Sequence, residues 1–126
     1  MSNNKCNISY FNSISFDIEE WYHANYDEVI IDKFEIKATN LEENVDRLID
    51  VCEKYKVKST CFVLGTVARD KPEIVRKLHK AGHEIASHGF SHKLVYSMTE
   101  KEFLNDLKKS KDILEDITGE LFKGFR

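Results

Sequence analysis

The sequence has few of the features that mark disulfide-linked, exported or membrane-spanning proteins. Its three cysteines are an odd number without a Cys-x-x-Cys pair, which argues against a disulfide framework and favours a reducing, cytoplasmic location. It contains no run of about 18 apolar residues, and no charged segment followed by an apolar stretch at its N-terminus. We therefore predict neither a membrane span nor a cleaved export signal.

An excess of one charge is also missing. The chain has 19 basic and 22 acidic residues, interleaved, for a formal net charge of −3. A nucleic-acid partner is therefore not expected, because such proteins carry a basic face. The 126 residues are 41% hydrophobic and 33% charged, with one proline and five glycines, which is typical of a single globular domain with a core of its own.

Short apolar runs predict the strands of an α/β protein. The runs at 10–16, 59–65 and 83–87 have the length and residue types of buried strands, and 121–126 begins like a fourth. Helical patterns separate them, giving the order βαβαβαβ, whereas the segment 22–38 has no clear pattern. This order predicts a parallel sheet with right-handed crossovers.

Capping residues indicate where three helices begin and end. Thr39 with Glu42 and Ser97 with Glu100 have the spacing of capping boxes for the first and third helices. Pro72 suits the first turn of the second helix. Two glycines stand where a left-handed residue would end the second and third helices: Gly82 and Gly119.

The residues best suited to chemistry follow the predicted strands. In parallel α/β folds the carboxyl ends of the strands lie at one rim, where binding and catalysis occur. Two imidazoles and a carboxylate suit a catalytic divalent metal, since structural zinc usually has four closed ligands. The candidates are Asp17, Glu19 and Glu20 after the first strand, His88 and His92 after the third, and Arg126 after the fourth.

Each of these features also has an ordinary interpretation. Two histidines four residues apart are commonly a surface or hydrogen-bonded pair, and an acidic turn is commonly solvated. Trp21 and Tyr22 could line a sugar site, although packing is the more common role of such aromatics. His79 and His83 receive no role, and His23 at most a place in the pocket wall. The cysteines are expected to be small buried apolar residues.

Four segments resemble motifs of the polysaccharide deacetylase family, the NodB-homology carbohydrate esterases. "SISFDIEEWYH" is similar to the branch whose first motif reads F-D-x-E-D/E-W, and "HGFSH" (88–92) to the family's H-S/T-x-x-H, with glycine second. "STCFVLG" and the final "GFR" resemble two further motifs. The resemblance implies a distorted (β/α) barrel, of which residues 1–126 are an N-terminal portion covering about the first half.

The resemblance implies a metal-dependent hydrolase that removes N-acetyl groups from an amino-sugar polysaccharide or glycan. His88 and His92 match its metal ligands, and Zn²⁺ is the expected ion, with Co²⁺, Fe²⁺ or Ni²⁺ as alternatives. Ile18 stands where other members have a metal-binding aspartate, so this role passes to Glu19 or Glu20. Glu19 is favoured because residues 17 and 19 share one side of an extended segment.

The resemblance also assigns the catalytic groups. Asp17 matches the family's base, and Arg126 the arginine that orients it. The family's later aspartate and general-acid histidine follow the arginine and are not in this sequence, so we expect a portion of a barrel whose open edge favours self-association. Two other functions stay open: a cyclic-amide hydrolase resembling allantoinase, and a non-catalytic half-barrel for assembly or carbohydrate binding.

Overall fold

The computed structural model describes three stretches of the chain: residues 12–23, 39–121 and 123–126. Within them, three parallel strands form one sheet in chain order: β1 (Ser15–Ile18), β2 (Thr60–Val63) and β3 (Glu84–Ser87). The same stretches contain four α-helices: α1 (Leu41–Lys54), α2 (Gly65–Asp70), α3 (Pro72–Lys80) and α4 (Glu100–Thr118). One short 3₁₀ helix follows β1 (Trp21–His23), and another precedes α4 (Val95–Ser97).

The sheet has the order and direction that the sequence predicts. β2 lies between β1 and β3, and its Phe62 is opposite Asp17 on one side and Ala86 on the other. The expectation of a fourth strand at 121–126 is wrong for the described residues, which form one parallel bridge, between Ser87 and Phe125. Main-chain pairing with Ser87 involves Gly124 and Arg126, so too few residues pair to form a strand.

Of the first strand's predicted range, residues 10 and 11 lie outside the described residues, as does 24–38 of the segment without a pattern. Strand pairing begins only at Ser15 and continues to Ile18, so β1 ends two residues later than predicted. Asp17 is therefore inside the strand, and Glu19 is the first residue after it. This short offset matters because it sets which acidic side chains reach the rim of the sheet.

The predicted capping box of the first helix is wrong. α1 begins at Leu41, and Asn40 before it makes no side-chain capping bond. The Thr39 hydroxyl instead accepts a hydrogen bond from Nζ of Lys71 at 2.9 Å. The same nitrogen lies 3.8 Å from Glu42, so Lys71 engages both groups that the box would have used.

The predicted capping box of the last helix is wrong by two residues. Thr99 and Glu102, not Ser97 and Glu100, bond each other's main-chain amides at the start of α4. The Ser97 hydroxyl instead donates to the main-chain carbonyl of Leu94, just before the 3₁₀ helix, which removes it from the cap. The predicted end is confirmed, since Gly119 has the left-handed conformation, with φ of 73°.

A short helix that the sequence pattern does not predict lies between β2 and α3. The sequence indicates that Gly65 ends a strand, but this residue begins α2, which is six residues long. Six residues are too few to show a helical period, although Val67 and Ala68 are buried in the core. α3 begins at Pro72 as predicted, and Gly82 after it has a positive φ of 83°.

The core lies between the sheet and the helices. It includes apolar residues of all three strands and all four helices: Ile18, Val45, Val63, Val67, Ile74, Leu78, Ile85 and Leu114. Cys52 and Cys61 are buried free thiols, as predicted, and burial raises the pKa of Cys61 to about 11. Cys6 lies outside the described residues. Among the described helices, none combines the length and apolarity needed to cross a membrane.

The buried histidine of the fold is His83, which joins the beginnings of β2 and β3. Its Nδ1 accepts the Ser59 amide N–H at 3.2 Å and lies 2.9 Å from the Ser59 hydroxyl. Burial, together with the positive charge of Lys58, lowers the pKa of His83. The folded state therefore favours the neutral ring, because a proton on Nδ1 would face the Ser59 N–H and prevent this hydrogen bond.

We expect the free energy of unfolding to decrease as the pH falls below about 6.5, the pKa of histidine in an unfolded chain. Below that pH, this histidine binds a proton in the unfolded chain but not in the folded chain. The stabilisation due to neutral His83 is therefore complete above that pH, and it is lost as the pH falls toward the lowered pKa of His83 in the folded state. Urea unfolding between about pH 8 and pH 5 measures the effect. His83→Asn keeps an acceptor and should flatten the decrease, whereas slopes equal to the parent's would contradict the assignment.

Candidate functional site

Three predicted metal ligands lie together at the carboxyl ends of β1 and β3. One ligand atom from each of Glu19, His88 and His92 lies within 4.8 Å of the other two. All three residues are half-buried, and the described part of the chain contains no second group of this kind. The convergence expected from parallel strand ends is therefore present.

The carboxylate of this triad has an oxygen suited to an ion. Oε2 of Glu19 lies 2.9 Å from Nε2 of His92. Apart from that approach, this buried oxygen has no hydrogen-bond partner among the residues that the structure describes. Two imidazole nitrogens and one carboxylate oxygen are ligands that Zn²⁺, Co²⁺, Fe²⁺ and Ni²⁺ accept in proteins. The donor set and the buried oxygen both fit a divalent metal.

Glu20 is engaged elsewhere. Its side chain is 4% exposed, and Oε1 accepts a hydrogen bond from Nζ of Lys71 at 3.0 Å. Its main-chain N–H donates to Nδ1 of His23 at 3.0 Å, and burial lowers the pKa of His23. His23 lines a small pocket with Glu20 and Lys71. Trp21, the residue after Glu20, is 47% exposed. The geometry therefore favours Glu19 over Glu20 as the ligand.

Arg126 connects the predicted base to one of the histidines. Its guanidinium donates to Oδ2 of Asp17 at 2.8 Å and to the Ser15 hydroxyl at 2.9 Å. Its main-chain oxygen lies 2.7 Å from Nδ1 of His88. This oxygen can only accept, so Nδ1 carries the proton and Nε2 keeps the lone pair that a metal ligand needs.

The loop between the two histidines, residues 88–92, is called the histidine loop and is held by the first turn of α2. The Gly65 amide donates to the Gly89 carbonyl at 2.8 Å, and the Thr66 amide to the Phe90 carbonyl at 3.1 Å. A Cβ atom on Gly65 would lie 2.9 Å from Cα of Phe90, so only glycine permits this approach. Gly89 has a φ of 74°, a conformation that glycine adopts without strain.

The other side of the loop contacts Asp106 of α4, a residue that the sequence does not single out. Its Oδ2 accepts the Phe90 amide N–H at 2.7 Å, and its Oδ1 accepts both the amide at 3.1 Å and the hydroxyl of Ser91. In the sequence Asp106 is one of several acids on a charged helix. Only the packing of α4 against the sheet shows that this side chain reaches the histidine loop.

Comparisons with known proteins indicate one family. The family model described as "Polysaccharide deacetylase" matches residues 22–126, a range that begins after Asp17 and Glu19 and includes both histidines. The peptidoglycan-N-acetylmuramic acid deacetylase PdaC of Bacillus subtilis is 35% identical over 74 residues, 59% of this chain and 16% of that protein. The peptidoglycan-N-acetylglucosamine deacetylase of Bacillus cereus is 32% identical over 77 residues, 61% of this chain and 28% of that protein.

The solved structures give the same result for the fold. The structure of PdaC from Bacillus subtilis aligns with a TM-score of 0.63 and 33% identity, covering 65% of this chain and 41% of that chain. This chain therefore spans less than half of each of these relatives. The relatives have the distorted barrel fold, and the parallel sheet described above is part of it. The chain belongs to the polysaccharide deacetylase family.

Proposed function

We propose that this chain carries the metal centre and the catalytic base of a deacetylase that removes N-acetyl groups from an amino-sugar polysaccharide. The observation that carries this proposal is the triad of Glu19, His88 and His92, joined through Arg126 to Asp17. The substrate class is supported by the names of two relatives, which describe deacetylation of N-acetylmuramic acid and N-acetylglucosamine in peptidoglycan.

In this proposal, Glu19, His88 and His92 hold one divalent metal, with Zn²⁺ as the expected ion. A bound ion supplies Lewis-acid chemistry, which polarises the amide carbonyl and acidifies a water molecule. The hydrogen bond from Nδ1 of His88 to the main-chain oxygen of Arg126 fixes the ring orientation and its tautomer. The protein therefore presents the ligand nitrogen in a set direction.

Asp17 is the proposed general base. Its carboxylate is 30% exposed, so a water molecule and a substrate amide can approach it. Nη2 of Arg126 holds Oδ2 at 2.8 Å in a charge-assisted bond, which restricts the carboxylate to one orientation. The attacking water would pass its proton to Asp17, and a base positioned in this way contributes about 10²–10⁴-fold in rate.

A pocket beside the histidines offers room for the substrate. Its volume is about 220 Å³, and it lies between the histidine loop, the 3₁₀ helix before α4 and the end of the chain. The side chains that make it apolar are Leu94, Val95, Met98, Phe103 and Phe125. An acetamide next to the histidines would therefore meet polar groups on one side and apolar groups on the other.

Acetate release tests the proposed function. The 126-residue chain, loaded with Zn²⁺ or Co²⁺, is incubated with chitin oligomers, with peptidoglycan and with allantoin. We expect a trace of acetate from an N-acetylated substrate, lost with a chelator, and no opening of the cyclic amide. The rate should be low because the general acid that the resemblance implies is not in this sequence.

Two results would contradict this interpretation. Opening of allantoin without acetate release would favour a cyclic-amide hydrolase instead. Acetate release at about 1 s⁻¹ or faster, an ordinary enzyme turnover, would mean that a residue of this chain, such as His23, supplies the proton for the leaving amine.

A further inference from the structure

The loop that carries the two histidines has an unfavourable backbone. Gly89 has a φ of 74° and His92 a φ of 57°, both in the left-handed region. Glycine adopts this region freely, but a histidine does not, so the conformation at His92 must be held by contacts. In this conformation of the loop the ring of His92 reaches Glu19, at 2.9 Å between Nε2 and Oε2.

We propose that Asp106 is a positioning residue for the metal centre, holding the histidine loop so that both rings face Glu19. This proposal rests on the metal site proposed above. Asp106 lies 16 residues after Phe90 in the sequence, so its bonds tie the loop to α4 and not to neighbouring residues of the loop. The hydrogen bonds of Asp106 go to Phe90 and Ser91, so it acts on His92 through the main chain between them.

The chemistry of these bonds requires a carboxylate. Three donors point at Asp106, namely the amides of Phe90 and Ser91 and the hydroxyl of Ser91, and they divide between its two oxygens. An asparagine has one acceptor oxygen, and its NH₂ group would face at least one of these N–H groups. Substitution by asparagine therefore keeps the size of the side chain but replaces at least one hydrogen bond by a contact between two N–H donors.

The bonds of Asp106 complete those made by α2. The Phe90 carbonyl is bound by the Thr66 amide, and the Phe90 amide by Asp106, so this peptide segment is held from two elements. Loss of Asp106 leaves the carbonyl bonds to α2 and the bond from the Gly89 amide to the Ser87 hydroxyl, and none of these involves Ser91. The segment next to His92 would then relax from the left-handed conformation, and the ligand nitrogen would move from Glu19.

The test is a titration of the full 126-residue chain with Co²⁺, followed by its visible absorption. Asp106→Asn should bind Co²⁺ about 10–100-fold more weakly, the usual cost of losing a group that orients a ligand. Asp112→Asn is the matched control, since Asp112 is exposed on the same helix and bonds Lys108 at 2.7 Å. It should bind as the parent does.

A second variant and a second measurement make the test independent of folding defects. Ser91→Ala removes only the hydroxyl donor and should weaken Co²⁺ binding about two- to tenfold, the range for one hydrogen bond. In the metal-free chain, the amides of Phe90 and Ser91 should exchange with solvent faster in Asp106→Asn than in the parent. Parent-like affinity in both variants would overturn the proposal.

The result also separates this proposal from the metal site on which it rests. Failure of the parent chain to bind Co²⁺ would remove the metal site itself, and the role of Asp106 with it. Binding by the parent with unchanged affinity in Asp106→Asn would remove the role of Asp106 alone. Faster amide exchange with unchanged affinity would show that the loop tolerates motion, and would also overturn the positioning role.

Discussion

Replacement of either His88 or His92 by alanine should remove most of the bound metal from the chain. Each histidine supplies one of three ligand atoms that lie within 4.8 Å of one another, and two remaining ligands hold an ion poorly. We expect affinity for Zn²⁺ to fall by more than about 100-fold, because loss of a residue that only orients a metal ligand already lowers affinity by up to about 100-fold. Elemental analysis after dialysis and a Co²⁺ titration measure the loss.

The matched control is His79→Ala. His79 lies on α3, with Nε2 3.4 Å from a carboxylate oxygen of Glu120, so its removal tests the effect of losing a histidine outside the triad. It should retain the metal content of the parent. Parent-like metal content in both His88→Ala and His92→Ala would end the metal proposal.

The same measurement distinguishes the two glutamates. Glu19→Ala should match the loss caused by the histidine variants, because Oε2 of Glu19 faces Nε2 of His92. Glu20→Ala should keep the metal and lose stability, because Glu20 is buried and its loss leaves Lys71 without that partner. Metal loss in Glu20→Ala alone would reverse the assignment.

The convergence of the site follows from features that a sequence can show. The β-strands are short apolar runs, and a parallel sheet places their carboxyl ends at one rim. Acids after the first run and histidines after the third were therefore expected to meet. The structure brings Glu19, His88 and His92 together and pairs Asp17 with Arg126.

Details that depend on tertiary contacts were not predictable in the same way. The box at Thr39 fails because Lys71, 32 residues later, takes the hydroxyl that would have capped the helix. Strand alternation favours Glu19 over Glu20 as the ligand, but the bond that holds Glu20 to Lys71 depends on a residue far along the sequence. Asp106 has no sequence signal because two of its three donors are main-chain amides, which any residue type supplies. Self-association and the cytoplasmic location stay predictions.

Asp17 should affect turnover far more than metal binding. Asp17→Asn keeps the shape of the side chain and can still accept a hydrogen bond from Arg126, but it does not accept a proton at neutral pH. Loss of a positioned base lowers the rate by about 10²–10⁴-fold. Affinity for the metal should change little, because Asp17 bonds Arg126 and is not one of the three ligands.

The rate should be measured as acetate release from an acetylated chito-oligosaccharide, in a protein that joins this sequence to the remaining strands found in its solved relatives. Ser15→Ala is the matched control, because it removes the other hydrogen bond of the Arg126 guanidinium and leaves the base in place. It should cost much less than Asp17→Asn. If Asp17→Asn releases acetate at the parent rate with its metal retained, the proton must go to another group. The pairing of Asp17 with Arg126 would then hold the end of the chain against β1 without taking part in the reaction.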